Sequence, residues 1–310
     1  MEPFNIHILG CGCALPTGRH NPSAQIVEVR GKYFLVDCGE GTQLQLRRAH
    51  VRFTRLTCIF ISHLHGDHCL GLVGLISTFA LLGRTAPLHI YAPAALADVF
   101  DVQMKLFCAH PGYDIIFHAV DTTVRQTIYE DRSITVETLP LEHRVPCCGY
   151  LFAEKKGLPH IDRAAADFYG VPVSQYNNIK NGGDWTDGEG RIVAHTRLTK
   201  PADTPRSYAY CSDTRFLPQL GEALRGVTTL YHEATYSRID ADRAAQYCHS
   251  TAAQAAEVAR IAGVGKLIIG HYSARYDDES ILLDEAREIF PHTVAANEGD
   301  CIAVEAMKDD

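Results

Sequence analysis

The sequence predicts a layered α/β domain, and three observations point to it. Short apolar strands alternate with segments of helical length along most of the 310 residues. Leu56 to Ser62 is a nearly continuous apolar run, the pattern of a strand buried on both faces. At 46% hydrophobic and 21% charged residues, the chain carries enough apolar material for a sizeable core.

Each element has its own signal. Phe4, Ile6 and Ile8 alternate as in a strand and run into a turn at Gly10-Cys11-Gly12. Ala24 to Val29 and Tyr33 to Val36 flank Arg30-Gly31-Lys32 and read as a hairpin. After the strand Leu56 to Ser62, Leu70 to Leu82 and Ala94 to Phe107 have helical length, with Leu88 to Tyr91 a strand between them. Further strands are expected at Tyr113 to Val120, Ile134 to Leu139, Ser207 to Cys211, Thr228 to Tyr231 and Lys266 to Ile269. Thr251 to Ala262 and Ser280 to Phe290 read as helices, the first with Ser250 at its N-cap. From about 154 to 200 periodicity fades and Gly, Pro, Asn and Asp accumulate, so this stretch is expected to be an arm inserted in a single domain spanning 1–310. Seven Lys and Arg against six Asp and Glu give the arm +1, which leaves −9 of the total −8 for the rest.

Composition excludes several classes. No apolar run approaches the roughly 18 residues of a membrane helix, so no membrane partner is expected. The first nine residues lack the basic start of a signal peptide, and a cytoplasmic address follows by default. Eleven cysteines without a CxxC pair read as small buried hydrophobes in a reducing compartment rather than as a disulfide framework. The acidic total argues against a general nucleic-acid binder, so any RNA contact must come from local charge. Gln45 to Thr57 provides such charge: Arg47, Arg48, Arg52 and Arg55 with no acid, a solvated helix face being the alternative.

The chemistry is concentrated in Ile61-Ser62-His63-Leu64-His65-Gly66-Asp67-His68, directly after the buried strand. On extended chain His63 and His65 point the same way and can grip one ion, while Gly66 permits a turn that swings Asp67 and His68 towards a second. Imidazole and carboxylate suit Zn²⁺. More ligands are needed, and His143, Asp213 and His271 each follow a predicted strand, where sheet enzymes place their sites.

This pattern resembles the metallo-β-lactamase superfamily through its His-x-His-x-Asp-His motif, and within it the short form of ribonuclease Z, the tRNA 3′-processing endoribonuclease. The matching words are Asp37-Cys38-Gly39-Glu40-Gly41-Thr42-Gln43, His232-Glu233-Ala234-Thr235, His249-Ser250-Thr251 and Ser273-Ala274-Arg275-Tyr276-Asp277-Asp278, and the likeness covers essentially the whole chain. It implies a four-layer αβ/βα sandwich with an inserted flexible arm at about 154–200 that grips the tRNA elbow, a homodimer, and two zinc ions per subunit. One zinc falls to His63, His65, His143 and Asp213, the other to Asp67, His68, Asp213 and His271, with Asp213 bridging and Asp67 the proton acceptor. The arm departs from the family: Gly170-Val171-Pro172-Val173-Ser174 stands where a Pro-Gly-Pro is usual. Cys11 and Cys13 stand where Thr, Ser or Ala is usual.

The reaction expected is attack on phosphorus by metal-bound hydroxide, removing the 3′ trailer of precursor tRNA next to the discriminator base. The leaving 3′-oxygen needs a proton, for which His249 is the candidate donor and Glu233 the carboxylate that orients it. The competing readings are a helix-cap neighbour and a buried strand-end carboxylate. Arg275 offers a fork of donors to a phosphate, against a solvated loop arginine. A small-substrate hydrolase or phosphodiesterase on the same fold would share the ligands. A non-catalytic RNA-binding relic would have lost one, and none is lost.

Overall fold

Successive residues of the central strands face opposite ways, and that alternation builds the layers. The computed structural model describes residues 2–15 and 17–307. In the strand Lys32–Val36, Leu35 packs outward into an apolar cluster, while the Phe34 ring lies 5.8 Å from Phe152 of a second sheet. The strand Leu56–Phe60 repeats the pattern, with Ile59 outward and Phe60 5.3 Å from Tyr150 and 5.5 Å from Phe152. Two sheets thus meet across an aromatic layer.

The first sheet has the strand order Cys301–Ala303, Phe4–Gly10, Ala24–Val29, Lys32–Val36, Leu56–Phe60, Leu88–Pro93, Ile115–Val120. It is antiparallel at the hairpin end and parallel from Lys32–Val36 onward. The second has the order Thr293–Ala295, Lys266–Gly270, Thr229–Glu233, Ser207–Cys211, Cys147–Glu154, Ile134–Leu141, Thr127–Glu130, its first four strands parallel. Helices Leu72–Leu81 and Ala95–Phe107 bury Leu75, Ile76, Phe79, Phe100 and Met104 against the outer face of the first sheet. Helix Ala252–Ala262 covers the second sheet and packs on Pro218–Ala223 and Ser280–Ile289. The result is the four-layer αβ/βα sandwich.

Several elements differ from expectation. The helix expected from Leu70 starts at Leu72, after a separate short helix Gly66–Cys69. The break is at Gly71, where a Cβ would lie 2.0 Å from the Gly39 carbonyl oxygen, so only glycine lets the two segments touch. Ser250 is not the N-cap of the helix that follows: Thr251 is, with Gln254 completing a capping box. The Ser250 hydroxyl donates instead to the Thr214 carbonyl at 2.8 Å. Strand Cys147–Glu154 escaped the sequence reading because its paired cysteines and Gly149 carry no period-two signal. Six of the eleven cysteines are buried as expected; Cys13, Cys69, Cys108 and Cys248 are half-buried and Cys301 is exposed. Among the described residues, no helix is long and apolar enough to cross a membrane.

The chain divides into two units, the larger holding both sheets and the smaller comprising 154–205 with 131–134. The smaller unit has short helices Arg163–Phe168, Tyr176–Lys180 and His195–Leu198, and two-stranded pairings His160–Ile161 with Thr199–Lys200 and Trp185–Thr186 with Ile192–Val193. Asp162 caps the first helix through the Ala165 amide, and Ala166, Val171, Ile179, Val193 and Leu198 form its own small core. Elements of two to six residues are too short to register as periodicity, which is why the stretch looked featureless in sequence.

Candidate metal centre and active-site cleft

Four loops at strand ends bring the predicted ligands together. The segment 61–68 leaves Leu56–Phe60, His143 follows Ile134–Leu141, Asp213 follows Ser207–Cys211, and His271 follows Lys266–Gly270. All seven candidates converge in two sets, His63, His65, His143 and Asp213, and Asp67, His68, Asp213 and His271, within each of which the ligating atoms lie within 4.8 Å of one another. Gly66 stands where the chain turns out of the extended segment and carries Asp67 and His68 to the second set. It is the first residue of helix Gly66–Cys69, and its missing Cβ leaves room for Leu70.

The spacing is that of an ion cage. His65 Nδ1 lies 3.1 Å from both His63 Nε2 and His143 Nε2, each of which is 3.7 Å from Asp213 Oδ2. In the other set Asp213 Oδ1 is 3.1 Å from His271 Nε2 and 3.4 Å from His68 Nε2, and Asp67 Oδ2 is 3.6 and 3.3 Å from the same nitrogens. A tetrahedral ion about 2.0 Å from each donor spaces its ligands roughly 3.3 Å apart. Asp213 therefore offers one oxygen to each set.

The opposite ring nitrogens are held elsewhere, which aims the ligating ones. His68 Nδ1 donates to Asp37 Oδ2 at 2.7 Å, and His143 Nδ1 to the Cys248 carbonyl at 2.9 Å. His271 Nδ1 pairs with Thr235 Oγ1 at 2.8 Å, and His63 Nδ1 with Ser62 Oγ at 3.0 Å. Asp37 is the hub: it also accepts from the Ser62 amide and hydroxyl and from the Tyr210 hydroxyl. Asp37, Cys248 and His271 are three of the five described non-glycine residues with positive φ, so strained backbone is concentrated where the ligands are aimed. Asp37→Asn keeps an acceptor but loses the charge that fixes the His68 tautomer. It should weaken metal retention about 10- to 100-fold in a chelator competition, with the fold intact by circular dichroism.

Charge tests whether cations fit. Burial, then the neighbouring His68, pushes His63 well below its ordinary value, and burial lowers His65 and His143, so all three are in the neutral, ligating form. Burial opposes charge on His68, yet Asp213, Asp37 and Asp67 raise it well above its ordinary value. Burial would also raise Asp213, but His271, His68 and His63 hold it well below the usual carboxylate range. Four carboxylates, Asp37, Asp67, Asp213 and Glu233, are buried here, and none is ion-paired to lysine or arginine among the described residues. His68 Nε2 and His271 Nε2 are buried without a hydrogen-bond partner. Buried negative charge facing unpartnered nitrogens is the environment that divalent cations satisfy.

Beside the second set, Glu233 and His249 form a pair. Glu233 is fully buried and accepts from the amides of Thr214, Ser250 and Thr235, from the Thr235 hydroxyl, and from His249 Nδ1 at 2.9 Å. Five donors leave it no lone pair directed at an ion. Burial works against charge on His249, but Glu233 outweighs it and pushes the ring up to about 9.

A protein from Bacteroides fragilis (strain YCH46) named Ribonuclease Z is 56% identical over 304 residues, covering 98% of this chain and all of that one. The chain belongs to the ribonuclease Z family. The crystal structure of human tRNase Z, short form, superimposes with a TM-score of 0.69 at 23% identity, covering 97% of this chain and 99% of that one. The metallo-β-lactamase fold protein YhfI of Bacillus subtilis does so with a TM-score of 0.67 at 18% identity, covering 97% and 100%. At those identities the likeness is one of fold, and the fold is the metallo-β-lactamase sandwich. A family model described as anti-Pycsar protein Apyc1 also matches residues 4–155.

In this ribonuclease Z family member the two sets open into a cleft of about 450 Å³ lined by His65, Asp67, Asp213, His249 and His271. Its other walls hold groups the sequence reading missed: Arg144, Arg243, Tyr236 and Tyr247. Arg144 adjoins the candidate ligand His143, and Arg243 and Tyr247 stand one turn apart on helix Ala241–Tyr247, signals that were available in the sequence. Arg275 is not a lining residue. Its guanidinium lies over the Tyr236 ring at 5.2 Å and pairs with Asp240 at 2.9 Å. Arg47, Arg48, Arg52 and Arg55 are exposed on helix Thr42–Arg48 and the turn after it.

Proposed function

We propose that this chain is a metal-dependent endoribonuclease that removes the 3′ trailer of precursor tRNA in the cytoplasm. It cuts next to the discriminator base and leaves a 3′-hydroxyl on the tRNA and a 5′-phosphate on the trailer. The observation that carries this reading is Asp213, shared by two ligand sets at the floor of one cleft in a chain 56% identical to a Ribonuclease Z.

Two zinc ions per chain fit the donor set, one on His63, His65, His143 and Asp213 and one on Asp67, His68, Asp213 and His271. Bound there, such a pair makes water acidic and offsets charge on the phosphate. The chain's own groups do the rest. Asp67 faces the cleft and takes the proton of the attacking water. His249, held and kept charged by Glu233, gives a proton to the leaving 3′-oxygen. Arg144 and Arg243 supply cations to the phosphates, and Arg275 joins them by exchanging Asp240 for substrate. The unit at 154–205, with exposed Phe168 and Val173, grips the tRNA elbow. A homodimer belongs to the same reading: Leu81, Val99, Val102, Leu106 and Phe107 are exposed apolar residues of the kind a second copy covers.

The test is to map product ends after incubation with a 3′-extended precursor tRNA, with Asp67→Ala and chelator-treated protein alongside. A single cut after the discriminator base, lost in both controls, is the expected result. A 2′,3′-cyclic phosphate end overturns the mechanism, and intact RNA in the presence of metal-loaded protein transfers the proposal to a small-diester hydrolase.

A further inference from the structure

Apart from the catalytic sets, one further cluster mixes thiol, imidazole and carboxylate. Cys11 Sγ lies 3.3 Å from His20 Nδ1 and 3.5 Å from Glu298 Oε2, and those two atoms are 2.8 Å apart. Cys11 is fully buried and His20 nearly so. We propose that Cys11, His20 and Glu298 form a third metal site, built for a structural zinc ion and sharing no residue with the catalytic sets.

The surroundings aim these atoms as at a metal site. His20 Nε2 is engaged by Glu279 at 2.6 Å, the carboxylate–imidazole arrangement that fixes the other nitrogen as ligand. Glu279 is in turn paired with Arg19. Glu298 Oε1 accepts from the amides of Asn21 and Cys11, at 2.7 and 3.4 Å, leaving Oε2 turned to the cluster. The Ala296 carbonyl oxygen accepts from the Cys11 thiol at 3.3 Å and stands on the sulfur side of the cluster. Zinc at about 2.3 Å from sulfur and 2.0 Å from nitrogen or oxygen spaces its ligands by roughly 3.3–3.6 Å. The sulfur distances already match. The 2.8 Å pair is the hydrogen bond that a shared proton makes, and it opens by about half an ångström when an ion takes the proton's place.

The step balances. A dication enters, the Cys11 thiol proton and the proton shared by His20 and Glu298 leave, and the thiolate and carboxylate neutralise the metal. A thiolate, an imidazole and a carboxylate in tetrahedral array favour zinc over magnesium or calcium, which prefer all-oxygen sites.

The site would fasten one wall of the cleft. The Tyr272 amide donates to the Cys11 carbonyl at 3.0 Å, and the Cys13 amide to the Tyr272 carbonyl at 3.1 Å. Tyr272 follows the ligand His271, and Cys13 and Ala14 line the cleft. A metal on Cys11 and Glu298 therefore joins segments 287 residues apart behind a catalytic ligand.

The experiment is reconstitution of chelator-stripped full-length protein with Co²⁺, read by metal analysis and absorption. The catalytic sets contain no sulfur, so a thiolate-to-cobalt charge-transfer band in the near ultraviolet reports the third site alone. Expected are a third equivalent of cobalt beyond the catalytic pair and such a band. Cys11→Ser and His20→Gln should each lose both features and keep the visible bands of the catalytic cobalt, while Cys13→Ser keeps the third equivalent and the thiolate band. Should either variant fail to fold, wild-type stoichiometry and spectrum decide the question. Uptake that stops at the catalytic pair with no thiolate band overturns the proposal and leaves a hydrogen-bonded pin, as does a band that survives Cys11→Ser.

Discussion

Asp213→Ala is expected to leave a folded protein that holds no metal in either catalytic set and has lost at least about 10²- to 10³-fold of its turnover on precursor tRNA, the order attached to removing one preorganised electrostatic contact. Its two oxygens face different ligand sets, Oδ2 the nitrogens of His63 and His143 at 3.7 Å and Oδ1 those of His271 and His68 at 3.1 and 3.4 Å. Truncation therefore removes a donor from both sets in a single change, and with it the negative charge that attracts both cations. Neutral imidazoles alone then remain in the first set. Metal analysis after dialysis and single-turnover cleavage together check this. Thermal melting adds an independent readout: metal in the catalytic sets would favour the folded state, so chelator should lower the midpoint of the wild type by more than that of the variant, in which only the Cys11 site is left to strip. Retention of both metals by Asp213→Ala would show that the carboxylate does not bridge.

His249→Ala should have a different signature. Both metals stay, because His249 belongs to neither ligand set, while turnover on precursor tRNA falls about 10²- to 10⁴-fold through loss of the proton donor. The decisive comparison uses a nitrophenyl diester. Its leaving group departs as a stable anion and needs no proton, so a variant that has lost only an acid keeps most of that activity. A variant whose site has collapsed loses both. Glu233→Gln should fall between, since the amide keeps a hydrogen-bond acceptor for the ring but gives up the charge that, against burial, raises His249 to about 9. With a neutral Gln the ring releases its proton at lower pH, and activity on RNA should decline earlier as pH rises. Equal losses on RNA and on the activated diester would remove His249 from the acid role.

How much of the site was legible depends on how locally each residue acts. His63, His65, Asp67 and His68 fall within six residues, so strand-end geometry alone brings them close. His143, Asp213 and His271 could be found because each stands just past a predicted strand and sheet enzymes collect ligands there. Asp37 appeared only inside a family word, yet it holds His68 from 31 residues away and joins Ser62 and Tyr210 to the same carboxylate. Nothing in its local spacing states that role, because a strand-end aspartate reads equally as a turn residue. Arg275 also lies inside a family word, and only the fold shows that its guanidinium pairs with Asp240 over the Tyr236 ring.

The sequence by itself determined the layered α/β class, the candidate donor types and their placement at strand ends, because those follow from period, run length and donor chemistry within a few residues. Only the tertiary structure decided that Asp213 divides its oxygens between two sets, that Glu233 is saturated and so orients His249 rather than binding an ion, and that Cys11 meets Glu298. Each of these depends on the ångström-scale approach of side chains that are far apart along the chain. Burial then sets their charges, since the buried partners that raise His68 and lower His63 come from several strand ends brought together by one core.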